Sequence, residues 1–124
     1  MKPSPDRTAT KTAIIQAAAE VFGVTPEKMT GKSRQRDIVL ARQVAMYAYK
    51  KNYPEKSFRE IADLFEQNHA TAMYAIKNVE NLISVYKNLR VKVKQTCYMS
   101  KLLLNNYDEF FEDFYIDNNK MLIN

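Results

Sequence analysis

SFREIADLFEQNHATAMYAIKN, residues 57–78, decides how this chain is read. Ser57 followed three residues later by Glu60 is a capping box: the serine oxygen accepts from the N3 amide and the glutamate reaches back to the serine amide. The pattern predicts a helix from about Phe58, with Phe58, Ile61, Ala62, Leu64 and Phe65 as one apolar stripe. Glu66-Gln67-Asn68 interrupts that stripe, and Asn68 suits the N-cap of a second helix beginning at His69. In the second helix Met73, Ile76 and Val79 recur at i+3 and are expected inward, which leaves Ala70, Tyr74, Lys77 and Asn81 outside. That outer face has no acidic side chain. Two helices so closely connected form either an ordinary helical hairpin or a helix-turn-helix unit, whose second helix offers its N-terminal residues to base edges.

Composition bounds the alternatives. A chain of 124 residues is expected to be one domain with a modest core. Two glycines, four prolines and 46% hydrophobic residues, with many Ala, Leu, Ile, Lys and Glu, point to an all-α protein. The net charge of +5 suits a polyanionic partner. Its distribution says more: residues 1–94 carry 17 Lys+Arg against 9 Asp+Glu, and residues 95–124 carry 2 against 5. The single cysteine, Cys97, cannot form an internal disulfide, so a reducing cytoplasm is the natural compartment. No apolar run approaches the ~20 residues that span a bilayer, and MKPSPDRTATK lacks a signal peptide's hydrophobic region. A soluble, intracellular protein without membrane contact is expected. His69 is the only histidine; without a second His or a nearby Cys it cannot assemble a zinc site, and no Ser or Cys stands at a triad's spacing. Neither metal, cofactor nor catalysis is therefore expected.

In chain order, residues 1–9 read as a disordered arm, with two prolines and charges in MKPSPDR. A first helix is expected over about residues 10–22, with Ile14, Ala17, Ala18 and Val21 on one side and Gly23 as its C′ residue. Thr25 as N-cap and Pro26 at N1 then start a short turn of helix. GKSRQR, residues 31–36, is a basic loop: either a solvated charge cluster or a phosphate and minor-groove contact through Lys32, Arg34 and Arg36. A third helix over about residues 37–52 has Asp37 at its positive end and Lys50 and Lys51 at its negative end. Ile38, Ala41, Ala45 and Ala48 form its narrow inward stripe, while Gln43, Tyr47 and Lys50 share another face. YPEK, residues 53–56, turns the chain into the two-helix unit, with Pro54 stopping the third helix.

Taken together, GKSRQRDIVLARQVAMYAYKK, SFREIADLF and NHATAMYAIKNVE resemble, in order and nearly in spacing, the C-terminal, box-binding domain of the bacterial replication initiator DnaA. The resemblance runs from Ile15 to Leu82. It implies a Trp-repressor-like helix-turn-helix domain of about five to six helices over residues 10–94 that binds double-stranded DNA in replication control or transcription. By the same resemblance Arg34 takes the place of a minor-groove arginine. Arg42, Gln43 and Lys50 match residues that fix register on the DNA backbone, and Ser57 and Phe58 open the helix whose N-terminus makes further backbone contacts. His69 and Thr71 are implied to touch base edges, with Tyr74 and Lys77 further along the same helix. The chain departs from the family pattern at four positions: Asn68 replaces Asp, Ala70 replaces Ser/Thr, Ala72 replaces Val and Glu66 replaces the Gly before the turn. A carboxylate accepts from cytosine N4 whereas an amide can pair with adenine, so the preferred sequence is expected to be altered or relaxed. About one extra residue in the 53–56 turn can shift backbone contacts.

The recognition helix can run on through Leu82, Ile83, Tyr86 and Leu89, after which RVKVKQ alternates between strand and helix readings. Residues 95–124 lie beyond the resemblance. Tyr107, Phe110, Phe111, Phe114 and Tyr115 fall on one helical face and Asp108, Glu109, Glu112 and Asp113 on the other. Such an extra amphipathic helix either packs on its own domain, docks a protein partner or second copy through residues 98–118, or competes with DNA for the basic face. No G-x-x-x-x-G-K-[ST] occurs, so the initiator's nucleotide-binding motor is not expected, and the chain reads as a free-standing, nucleoid-associated relative. The competing reading is an interaction module that binds a partner, such as the initiator, through this extension, with DNA binding weakened or lost.

Overall fold

A computed structural model describes residues 7–105 as six helices, with no strand among the described residues. They are α1 (Arg7–Phe22), α2 (Pro26–Met29), α3 (Arg36–Asn52), α4 (Phe58–Leu64), α5 (His69–Val85) and α6 (Lys87–Asn105). The all-α, helix-turn-helix expectation holds. Of the disordered arm expected over residues 1–9, residues 7–9 are instead helical and open α1; residues 1–6 and the aromatic-acidic stretch over residues 107–115 lie outside the described residues.

α3 is the central helix: α1, α5 and α6 all pack along it, α1 and α5 each also meet α6, and α4 rests mainly on α5. Ile38, Ala41, Ala45 and Ala48 are all buried, and such small side chains let neighbouring backbones approach closely. α1 is buried over most of its circumference, through Ala13, Ile14, Ile15, Ala17, Ala18 and Ala19, which is more than the single stripe expected. It ends at Gly23, whose φ of 69° needs no side chain, and the Val24 amide closes the Schellman bond to Ala19 O at 3.1 Å.

The two-helix unit forms from local signals. Ser57 Oγ accepts from the Glu60 amide at 3.1 Å, and Asn68 Oδ1 accepts from the Thr71 amide at 2.8 Å. The reciprocal arm of the capping box is not made; the Glu60 carboxylate instead stands 3.8 Å from Lys56 Nζ. Likewise Thr25 occupies an N-cap but makes no side-chain cap bond. Between α4 and α5 the chain turns on Glu66 at φ 56°, the left-handed C′ position of a second Schellman motif. The Gln67 amide donates to Ala62 O at 2.9 Å and the Glu66 amide to Asp63 O at 3.2 Å. A non-glycine residue is strained there, yet the tight turn requires that conformation.

Sequence expectations for α3, α5 and α6 are corrected. Met73 is not inward but 44% exposed; α5 buries Ala72, Ala75, Ile76 and Val79, an arc of about 100° that Met73 misses by about 60° at helical spacing. Tyr47 lies on the same side of α3 as Gln43 and Lys50 but is buried, with Lys51 Nζ 5.5 Å from its ring centre. The ambiguous RVKVKQ is helical and belongs to α6, which runs unbroken to Asn105. α5 does not continue to Leu89 but stops at Val85, where Tyr86 is extended, and Arg90 Nε secures the joint by donating to Ile83 O at 2.9 Å.

α6 buries Val93, Thr96, Ser100, Leu103 and Leu104, recurring at helical spacing, and packs on α1 and α3. Cys97 lies half-buried on this helix, where burial pushes its thiol up to about 11. No helix among the described residues is long and apolar enough to cross a membrane.

The strained Glu66 gives a direct test of the turn. Glu66→Gly is expected to stabilise the protein by about 1 kcal/mol, raising the melting temperature by roughly 4 °C in a thermal scan. An unchanged or lower melting temperature would contradict the left-handed turn.

Candidate nucleic-acid interface

The residues singled out from the sequence are built onto α3. Arg42, Gln43 and Lys50 stand within an arc of about 100° on this helix, over about 12 Å of its length, and each side chain fastens a different element.

Arg42 fastens the basic loop. Its Nε donates to Met29 O at 2.8 Å, and one terminal nitrogen donates to Gly31 O at 3.0 Å and Ser33 O at 3.4 Å. The planar guanidinium can serve several carbonyls at once, which an ammonium cannot do from one fixed position. Partial burial lowers the Arg42 pKa from its usual value, although an arginine remains charged at neutral pH. Lys32, Arg34 and Arg36 are all exposed; Arg36 opens α3, while Lys32 and Arg34 belong to the segment that Arg42 holds.

Gln43 fastens α5. Its Oε1 accepts from Asn78 Nδ2 at 2.8 Å, a half-buried bond between residues 35 positions apart. Lys50 fastens the entry to α4, with Nζ donating to Pro54 O at 2.9 Å and Lys56 O at 2.6 Å and standing 5.2 Å from the Phe58 ring centre. Phe58 meets His69 edge to face, with ring centres 6.3 Å apart. Lys50, Phe58 and His69 thus form one continuous chain of contacts from α3 across α4 to the start of α5. Ser57 is exposed beside it.

On α5 the outward arc holds Met73, Ala70, Lys77, Asn81 and Tyr74, opposite the buried arc. Asn68 and His69 are exposed at its start, and Thr71 is half-buried. Tyr74 is 66% exposed, a large area for an aromatic ring to leave in water without a partner. Two features were missed in the sequence. Met73 joins this face, as its angular position relative to Ala72, Ile76 and Val79 could have shown. Arg59 is an exposed cation in the first turn of α4, adjacent to the Ser57 cap.

Among the described residues no cluster of His, Cys, Asp or Glu could hold a metal ion. The site offers hydrogen-bond donors, cations and the exposed Tyr74 ring. Arg42, Gln43 and Lys50, by contrast, have polar atoms engaged within the protein itself.

A basic loop and a short helix pair fixed to one long helix define a helix-turn-helix protein. Residues 12–79 match the family described as bacterial dnaA protein helix-turn-helix, and the chain belongs to that family. Over 69 residues it is 38% identical to the chromosomal replication initiator protein DnaA of Pseudothermotoga lettingae, covering 56% of this chain and 15% of that protein. It is 41% identical over 70 residues to DnaA of Thermus thermophilus, covering 56% of this chain and 16% of the relative. To DnaA of Kosmotoga olearia it is 40% identical over 82 residues, covering 65% and 18%. The match therefore spans less than a fifth of the length of each of these relatives.

The anchoring of the loop has a measurable consequence. Arg42→Ala is expected to destabilise the protein by about 2 kcal/mol in urea denaturation, because three backbone carbonyls lose a charged donor. Arg42→Lys is expected to recover less than half of that loss. Two variants as stable as the native chain would show that the loop does not depend on this side chain.

Proposed function

We propose that this protein is a non-enzymatic, double-stranded-DNA-binding module acting in replication initiation, its regulation or transcriptional control. The observation that carries this reading is the fastening of three elements to one arc of α3: the basic loop by Arg42, α5 by Gln43 and the α4 entry by Lys50. Duplex DNA is a rigid polyanion, and recognising it requires cations and hydrogen-bonding groups held at fixed separations.

In this reading α5 lies in the major groove, with Asn68, His69, Ala70 and Thr71 nearest the base edges and Met73, Tyr74 and Lys77 further along. Lys32, Arg34 and Arg36 reach the phosphates and the adjacent minor groove, where a narrow A·T-rich tract attracts arginine. Ser57 and Phe58 bring the start of α4 to the backbone. Arg42, Gln43 and Lys50 act by positioning these groups. The relatives' name, chromosomal replication initiator protein, supports the assignment to replication.

Mobility shifts at ~0.1 M salt test the site. Arg34→Ala is expected to weaken binding several-fold and to reduce the salt slope by about one. His69→Ala is expected to cost roughly tenfold for a preferred sequence while leaving binding to random DNA nearly intact. Native-like affinity in both variants would remove this surface as the contact.

A further inference from the structure

The first turn of α5 fixes which atoms face outward. Asn68 Oδ1 accepts two hydrogen bonds, from the Thr71 amide at 2.8 Å and from the Thr71 hydroxyl at 2.9 Å. The orientation of the amide follows from chemistry: a backbone N–H can only donate, so the atom facing it must be the carbonyl oxygen. A carbonyl oxygen has two lone pairs, and both are used here. What remains on this exposed residue is the NH2 group, and among the described residues nothing accepts from it. The Thr71 hydroxyl, having given its one proton to Asn68, can only accept from any further partner.

We propose that Asn68 is a specificity determinant that reads DNA solely as a donor. It selects a base presenting an acceptor in the major groove, guanine first and thymine second, and rejects cytosine. The inference rests on the reading that the N-terminal turn of α5 enters the major groove.

Guanine offers two neighbouring acceptors, O6 and N7, to the two hydrogens of one NH2, and thymine offers O4. Cytosine presents an N4 donor, so an amide NH2 meets it donor to donor. Adenine is the usual partner of asparagine through a two-bond pair with N6 and N7. That pair needs an Oδ1 lone pair which the helix cap has already taken, leaving adenine with N7 alone and its N6 donor alongside. The cap and the base contact thus divide the amide between them. An aspartate at the same position would cap with one oxygen and present the other as an acceptor, inverting the preference toward cytosine.

Selection of bound duplexes from a random pool, using the full chain and its Asn68→Asp variant, tests this. A carboxylate is also a good N-cap at the positive end of the helix dipole, so similar melting temperatures are expected for the two proteins. The selected sequences should differ at one position, guanine or thymine for the native chain and cytosine for Asn68→Asp. Duplexes differing only there should show a preference of roughly tenfold that reverses between the proteins. The same base selected by both, cytosine selected by the native chain, or no enriched sequence despite retained DNA would each overturn the donor-only assignment while leaving duplex binding in place. Failure of both proteins to retain any DNA would overturn the binding reading and this inference with it.

Discussion

Hydrogen bonds from one arc of α3 tie the basic loop, the 53–56 turn and α5 to a single helix. Arg42 grips three carbonyls around the basic loop, Gln43 grips Asn78 of α5, and Lys50 grips two carbonyls of the 53–56 turn while resting over Phe58. None of these bonds involves a large apolar area, and the core beneath them is made largely of alanine, valine and isoleucine. The apolar core makes the helices pack; the polar bonds set where the loop and α5 stand relative to each other. Bonds of this kind contribute only about 1–3 kcal/mol each, but they specify geometry as well as stability.

This division separates two kinds of basic and polar side chain. Lys32, Arg34 and Arg36 are exposed, whereas Arg42 and Lys50 spend donors on backbone carbonyls. A count of positive charge would treat all five alike. Their surroundings leave the first three open to solvent and tie the other two to the protein's own backbone. The outer arc of α5 from Met73 to Tyr74 is neutral apart from Lys77, and the exposed Glu80 borders it beside Met73.

How much of this was legible in the sequence follows from the range of each interaction. Ser57, Asn68 and Gly23 act within six residues of themselves, and caps and turns were located from residue type and spacing alone. The inward stripe of α3 was equally legible, because periodicity is a local property. Arg42 reaching 13 residues back and Gln43 reaching 35 forward were not, since nothing in a single sequence pairs distant polar groups. The sequence therefore marked Arg42 and Gln43 as polar residues of the site and could not show which groups of the protein they bond. Met73 was misplaced because an i+3 series drifts around a helix, and the true buried arc is set by Ala72 and Ala75, whose size hides them among solvent-facing alanines. The break at Tyr86 carries no glycine or proline; it shows only in the extended backbone there and in the Arg90 bond across the joint.

Backbone amide shifts of the isotopically labelled full chain, recorded during titration with duplex DNA, test the central claim most directly. The largest changes are expected to cluster in residues 31–36, at the start of α4 and along the first three turns of α5, with α1 and the buried face of α6 nearly unchanged. Changes confined to α1 or α6, or a loop and an α5 that respond to different DNA concentrations, would contradict a single surface organised by α3.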